Sequence, residues 1–114
     1  MPFPTIGQSM PRAGDAYATA DKWRGWILAA PGHGKDWARV FGVGSNDSGR
    51  IWAAIAAAVR DAPVSVVRDR EPHGVVCGVE ITLTINDRTT PVATAWHYDD
   101  EDAAPRLVTA YPST

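Results

Sequence analysis

The chain has 114 residues, 45% of them hydrophobic and 21% charged, with a net charge of −2 and a single cysteine. That length supports one globular domain and is too short for two, while the composition excludes a disordered chain and the mildly acidic balance excludes a protein held on nucleic acid by bulk charge alone. No apolar run approaches the ~20 residues that span a bilayer and no basic segment leads into an apolar one, so the expectation is a soluble domain without an export signal of its own.

Residues 1–14, with three prolines and two glycines, read as an extended arm that wraps the domain or stays mobile, and residues 15–114 as the domain itself. Thr19 or Asp21 is placed to cap a first helix running to about residue 29, whose Trp23, Trp26 and Ile27 form an apolar stripe facing the core. Pro31-Gly32 stops it. A short helix from Lys35 to Phe41 follows and ends at Gly42. Asn46, Asp47 and Ser48 are good N-caps for a third helix over residues 49–61, in which Ile51, Ile55 and Val59 recur on one face.

After Pro63 the pattern changes to strands, at residues 64–68, 74–85, 90–98 and 106–111. In Val79-Glu80-Ile81-Thr82-Leu83-Thr84-Ile85 the odd positions are apolar and the even ones polar, so one sheet face packs on helices and the other sees solvent or a ligand. Asn86-Asp87-Arg88 turns the chain back. Helices first and strands second predict an α+β domain, its N-terminal helices packed on a C-terminal four-stranded antiparallel sheet.

Two segments carry candidate chemistry. In Gly32-His33-Gly34-Lys35 the flanking glycines let the backbone approach a ligand and leave the imidazole accessible; histidine exchanges protons near neutrality and lysine offsets charge on a phosphate. In the last strand, alternation places Leu107, Thr109 and Tyr111 on one face and Arg106, Val108 and Ala110 on the other. The preceding strand carries Thr94, Trp96 and Tyr98 on one face and Ala93, Ala95 and His97 on the other. Beside Thr109 and Tyr111, that aromatic face forms a platform for a base and a phosphate; an aromatic cluster filling the core satisfies the same geometry.

Cys77, in the apolar stretch Val75-Val76-Cys77-Gly78-Val79, reads as a buried inert thiol that gains a nucleophilic role only if His73 or His97 comes close. The three histidines share no metal-ligand spacing and the acidic run Asp99-Asp100-Glu101-Asp102 is not a calcium loop, so neither a metal nor a cofactor is indicated. That acidic run reads as a solvated hairpin tip, or as bait for a basic partner.

The order of these segments resembles the BECR group of bacterial ribonuclease toxin domains, the barnase, EndoU, colicin and RelE type. The likeness rests on Lys22 to Leu28, on Gly32-His33-Gly34-Lys35-Asp36-Trp37-Ala38-Arg39-Val40-Phe41, on the strand Val92 to Tyr98, and on Pro105-Arg106-Leu107-Val108-Thr109-Ala110-Tyr111-Pro112. It spans about residues 12–112. The resemblance implies a metal-independent endoribonuclease that cleaves RNA, such as a tRNA, by attack of the 2′-hydroxyl. Its catalytic groups would be His33, Lys35, Thr109 and Tyr111, with Arg39, Trp96 and Arg106 binding RNA. It further implies a cognate immunity or antitoxin protein, no membrane partner, and action in the cytoplasm of the producing or a target cell, there as the C-terminal part of a larger secreted toxin.

The rival reading is a non-catalytic acidic module, of immunity or antitoxin kind, whose Asp99 to Asp102 loop plugs a basic partner. A transferase acting on a nucleotide is a third reading, for which the chain offers no glycine-rich phosphate fingerprint.

Overall fold

The computed structural model describes residues 4–29, 32–70 and 72–113. Three helical segments precede four strands: α1 (Ala20–Lys22), which widens into a π-helical turn over Trp23–Ile27, then α2 (Gly34–Phe41) and α3 (Ser48–Val59). The strands are β1 (Val64–Asp69), β2 (Val75–Ile85), β3 (Arg88–Tyr98) and β4 (Arg106–Pro112), paired antiparallel in the order β1-β2-β3-β4. The α+β arrangement read from the sequence is therefore the one the chain adopts, with each strand paired to the next in sequence.

Alternation decides which sheet face is buried. Val75, Cys77, Val79, Ile81, Leu83 and Ile85 of β2 all point into the core, as do Val92, Trp96 and Tyr98 of β3. Ile51, Ile55 and Val59 of α3 cover this face, and each such buried aliphatic contributes about 1.5–3 kcal/mol. The one buried polar side chain among the described residues, Thr94, is satisfied twice. Its hydroxyl donates to the Val79 carbonyl at 2.6 Å and accepts from the Trp96 indole at 2.8 Å.

The β2–β3 hairpin closes through Asn86 and Asp87, both left-handed at φ 53° and 64°, the conformation of a type I′ turn. Its side chains reach across to α2. Asn86 donates to the Phe41 carbonyl at 2.9 Å and Arg88 to the Val40 carbonyl at 3.1 Å, which satisfies the open C-terminus of that helix. Asp47 caps differently from expectation. Its carboxylate accepts from the Gly44 amide at 2.9 Å, closing the tight turn Ser45–Asp47 before α3 rather than bonding α3 itself.

The N-terminal arm is docked where it is described. Gly7 donates to the Val64 carbonyl at 2.8 Å, Val64 donates back to Gln8 at 2.9 Å, and Met10 is buried. Residues 1–3 of the arm, and Pro31 as the expected stop of the first helix, lie outside the described residues. Among the described residues no helix is long and apolar enough to cross a membrane.

Cys77 is fully buried, and burial pushes its thiol from 9.0 up to about 12. Burial pushes the Tyr98 phenol up as well, while its hydroxyl donates to the Pro11 carbonyl at 2.6 Å. The unfolded thiol ionises near 9 and the folded one does not, so this stabilisation is complete below pH 9 and is lost as pH rises toward about 12. Urea midpoints should accordingly fall steeply from pH 9 upward, and the fall should be shallower in Cys77→Ala measured against its own neutral-pH stability. A native thiol that reacts with Ellman's reagent as fast as the unfolded one would contradict this burial.

Candidate functional site

The site begins with how α2 is held. Trp37, fully buried, donates from its indole to the Ala110 carbonyl of β4 at 3.0 Å and stacks on Phe41 with ring centres 5.5 Å apart. The helix N-terminus is thereby pinned against β4, and His33 stands at the residue just before it.

The two glycines around His33 serve a purpose other than ligand approach. A Cβ on Gly32 would collide with the Trp26 carbonyl oxygen, and one on Gly34 would sit 2.6 Å from the Leu28 carbonyl oxygen. They let the chain fold back tightly onto the π-helical turn, where the His33 amide donates to the Trp26 carbonyl at 3.0 Å and the Gly34 amide to the Ala29 carbonyl at 2.9 Å. Gly32→Ala should therefore displace His33 and lower any activity of the site far more than Gly25→Ala, which has open space around it. Equal activities of the two variants would break the link between this turn and the site.

Three rings and a hydroxyl then meet at the outer edge of the sheet. His33 stacks on Tyr111 with ring centres 4.7 Å apart and planes at 28°. Trp26 meets His33 edge-on at 5.5 Å and 81°, and its indole donates to Thr109 Oγ1 at 3.1 Å across 83 residues of sequence. Because the Thr109 oxygen accepts that bond, its own hydrogen is left to donate to another acceptor. Trp26 is 43% exposed and Tyr111 37%, so both rings present a face to solvent.

Thr109 and Tyr111 also rim a cavity of about 270 Å³ on the sheet face opposite the helices, together with Ser65, Arg68, Glu80 and Ala95. Glu80, Ala93 and Tyr111 stand in one cross-strand row of β2, β3 and β4. Among the described residues, Glu80 is the only carboxylate lining this cavity. Further along the same face His97 is tightly held. Its Nδ1 lies 3.1 Å from an Asp99 carboxylate oxygen and 3.4 Å from an Arg106 guanidinium nitrogen, and its Nε2 lies 2.5 Å from the His73 carbonyl.

Of the residues singled out from the sequence, His33, Thr109 and Tyr111 come together. Lys35 is exposed on the first turn of α2 near His33, and among the described residues no hydrogen bond or ion pair joins it to Thr109 or Tyr111. Arg39 forms an ion pair with Asp36 at 3.2 Å on the same helix. Arg106, half-buried, borders the outer face beside His97.

Trp96 is a correction. It is fully buried against the helices, 6.0 Å from Trp52, and has no surface on which a base could stack. The platform pairing Trp96 with Thr109 fails for a definite reason. Ala95 pairs with Thr109 but Trp96 with Leu107, which leaves Val108 as an extra residue and reverses the alternation of β4. Leu107 therefore faces the core while Thr109 and Tyr111 face outward with Ala93 and Ala95, against the expectation that all three share a face. Trp26, expected in the core, is the second correction. The π-helical turn rotates it out to the β4 edge.

Trp26 and Glu80 are the site residues that sequence reasoning misses. Glu80 is visible as an outward position of an alternating strand, but nothing local distinguishes it from Thr82 or Thr84. Among the described residues no three His, Cys, Asp or Glu side chains converge to hold a metal ion.

The class so defined is a small α+β domain with a histidine–tyrosine–threonine cluster at the β4 edge of an antiparallel meander. The chain belongs to the family described as Domain of unknown function (DUF6883), whose model matches residues 10–114. No curated protein and no solved structure matches it.

Proposed function

We propose that this domain is a metal-independent endoribonuclease of the bacterial toxin kind, cleaving RNA by attack of the 2′-hydroxyl on the adjacent phosphate. The observation that carries the reading is the stacking of His33 on Tyr111, distant in sequence, where Tyr111 and Thr109 rim a cavity that also holds a carboxylate and a guanidinium. Metal-free transesterification needs one group to take the 2′-proton, another to protonate the leaving 5′-oxygen, and donors for the charge on the phosphorane.

Glu80, in line with Tyr111 across the strands, and His33, stacked on its ring, supply the first two. The 2′-oxygen bonds to phosphorus as its proton passes to Glu80, and the bond to the 5′-oxygen breaks as His33 delivers a proton there. The products are a 2′,3′-cyclic phosphate and a 5′-hydroxyl. Thr109 donates to a phosphate oxygen, Tyr111 donates or stacks a base, and Lys35 clamps the phosphate from the first turn of α2. A tRNA target, a cognate immunity or antitoxin protein, and delivery as part of a larger effector belong to the same proposal through the BECR resemblance.

The acidic loop favours one alternative, a non-catalytic module that plugs a basic partner. It draws less support, because Asp99 is engaged with His97 and Asp100 accepts from the Asp102 amide at 2.9 Å, so part of the acidic run is spent on the loop itself.

The purified chain should degrade RNA in excess EDTA and leave cyclic phosphate ends, while a 2′-deoxy substitution at the cleaved position should block it. Activity that appears only with added magnesium or zinc would overturn the mechanism. A chain that leaves RNA intact but binds a basic partner would favour the alternative.

A further inference from the structure

The outer sheet face extends beyond the His33 site. A second cavity of about 580 Å³ shares Arg68, Val76 and Ala95 with the first and is bordered by Arg70, His97 and Arg106. Three guanidiniums thus surround an apolar floor of Val76, Ala95 and Val108. Arg68 and Arg70 are exposed, and among the described residues neither side chain has a carboxylate partner. The two ends lie along β3, from Ala93 beside Tyr111 to His97 beside Arg106, a span of four residues or about 13 Å.

We infer that this arginine-bordered cavity is a phosphate subsite that holds single-stranded nucleic acid running along β3, with one base stacked at the Tyr111 and Trp26 end. The inference rests on the ribonuclease reading and names the form of its substrate. Charge complementarity selects a polyanion. The exposed faces of Trp26 and Tyr111 select a strand whose bases are unstacked, because a duplex offers no free base face at its side. The small floor residues Gly78, Ala93 and Ala95 keep the face open to a backbone.

The test uses a fluorescein-labelled all-deoxy oligonucleotide of about ten nucleotides, within the usual site size, which lacks the nucleophile and is not consumed. Wild type is compared with Arg68→Glu/Arg70→Glu, both exposed positions, with thermal melts to confirm folding. The double variant should bind at least tenfold more weakly, and the slope of log affinity against log salt should fall by about 1.4, near 0.7 for each phosphate that the two arginines no longer neutralise on a single strand. On RNA it should raise KM.

Unchanged affinity and slope in a variant that still cleaves RNA would overturn the subsite and leave the ribonuclease standing. Oligonucleotide binding that depends on these arginines, in a chain that never cleaves RNA, would keep the subsite and remove the ribonuclease. Tighter binding to duplex, or equal binding to poly-glutamate, would overturn the single-strand assignment.

Discussion

His33→Ala should lose RNA cleavage by about 10²–10⁴-fold in kcat, the usual worth of a proton-transfer group, while the protein stays folded. The ring's stacking on Tyr111 is worth only about 0.5–1.5 kcal/mol, so the melting temperature should move by a few degrees at most. His33→Phe separates chemistry from packing, because phenylalanine keeps a stacking ring but carries no exchangeable proton. An active His33→Phe protein would reduce the residue to a spacer and pass the proton-transfer role to another group. A bell-shaped dependence of kcat/KM on pH should lose one limb in His33→Phe and the other in Glu80→Gln.

Trp37→Ala should have the largest effect on stability. Truncating a fully buried tryptophan costs about 3–5 kcal/mol, and the Ala110 carbonyl, deprived of the indole donor, adds about 1–3 kcal/mol. Against a typical total of about 5–15 kcal/mol, the variant should be largely unfolded at 37 °C. Trp37→Phe keeps most of the volume and loses only the donor, so it should melt between the two. Because the indole ties α2 to β4, this milder variant should also lose cleavage out of proportion to its stability, by loosening His33 from Tyr111. Circular dichroism melts with parallel cleavage assays read both effects, and a Trp37→Ala melt within a few degrees of wild type would refute the account.

Much of the fold is legible in the sequence because its periodicities are local. The alternating Val79 to Ile85, the spaced Ile51, Ile55 and Val59, and the Asn86-Asp87 turn each state their conformation without reference to the rest of the chain. His33, Thr109 and Tyr111 likewise stand out by residue type, although only the fold brings them near one another.

What escapes the sequence depends on pairing. Trp26 has the spacing of a core residue, and only a widened helical turn and the β4 edge draw it outward. Trp96 and Thr109 look like neighbours only while strict alternation is carried through a strand that breaks it. The glycines beside His33 suggest openings for a ligand, whereas the carbonyls they accommodate belong to the turn just before them. Glu80 gains significance only once register sets it in line with Tyr111.

The extra residue in β4 has a consequence for how the domain tolerates change. Val108 acts as a phase shifter: everything before it is counted in one step and everything after it in the opposite step. One short strand thereby sends Leu107 into the core and Thr109 to the groove. Deletion of Val108 would leave Leu107 inward and Thr109 and Tyr111 outward in plain alternation, so the faces survive its loss. Flattening the bulge with Val108 still in place would instead turn Thr109 and Tyr111 inward and Ala110 outward, exchanging the roles of the two faces in a single step. The bulge, more than the side chain of Val108, is thus what this strand has to preserve at its present length.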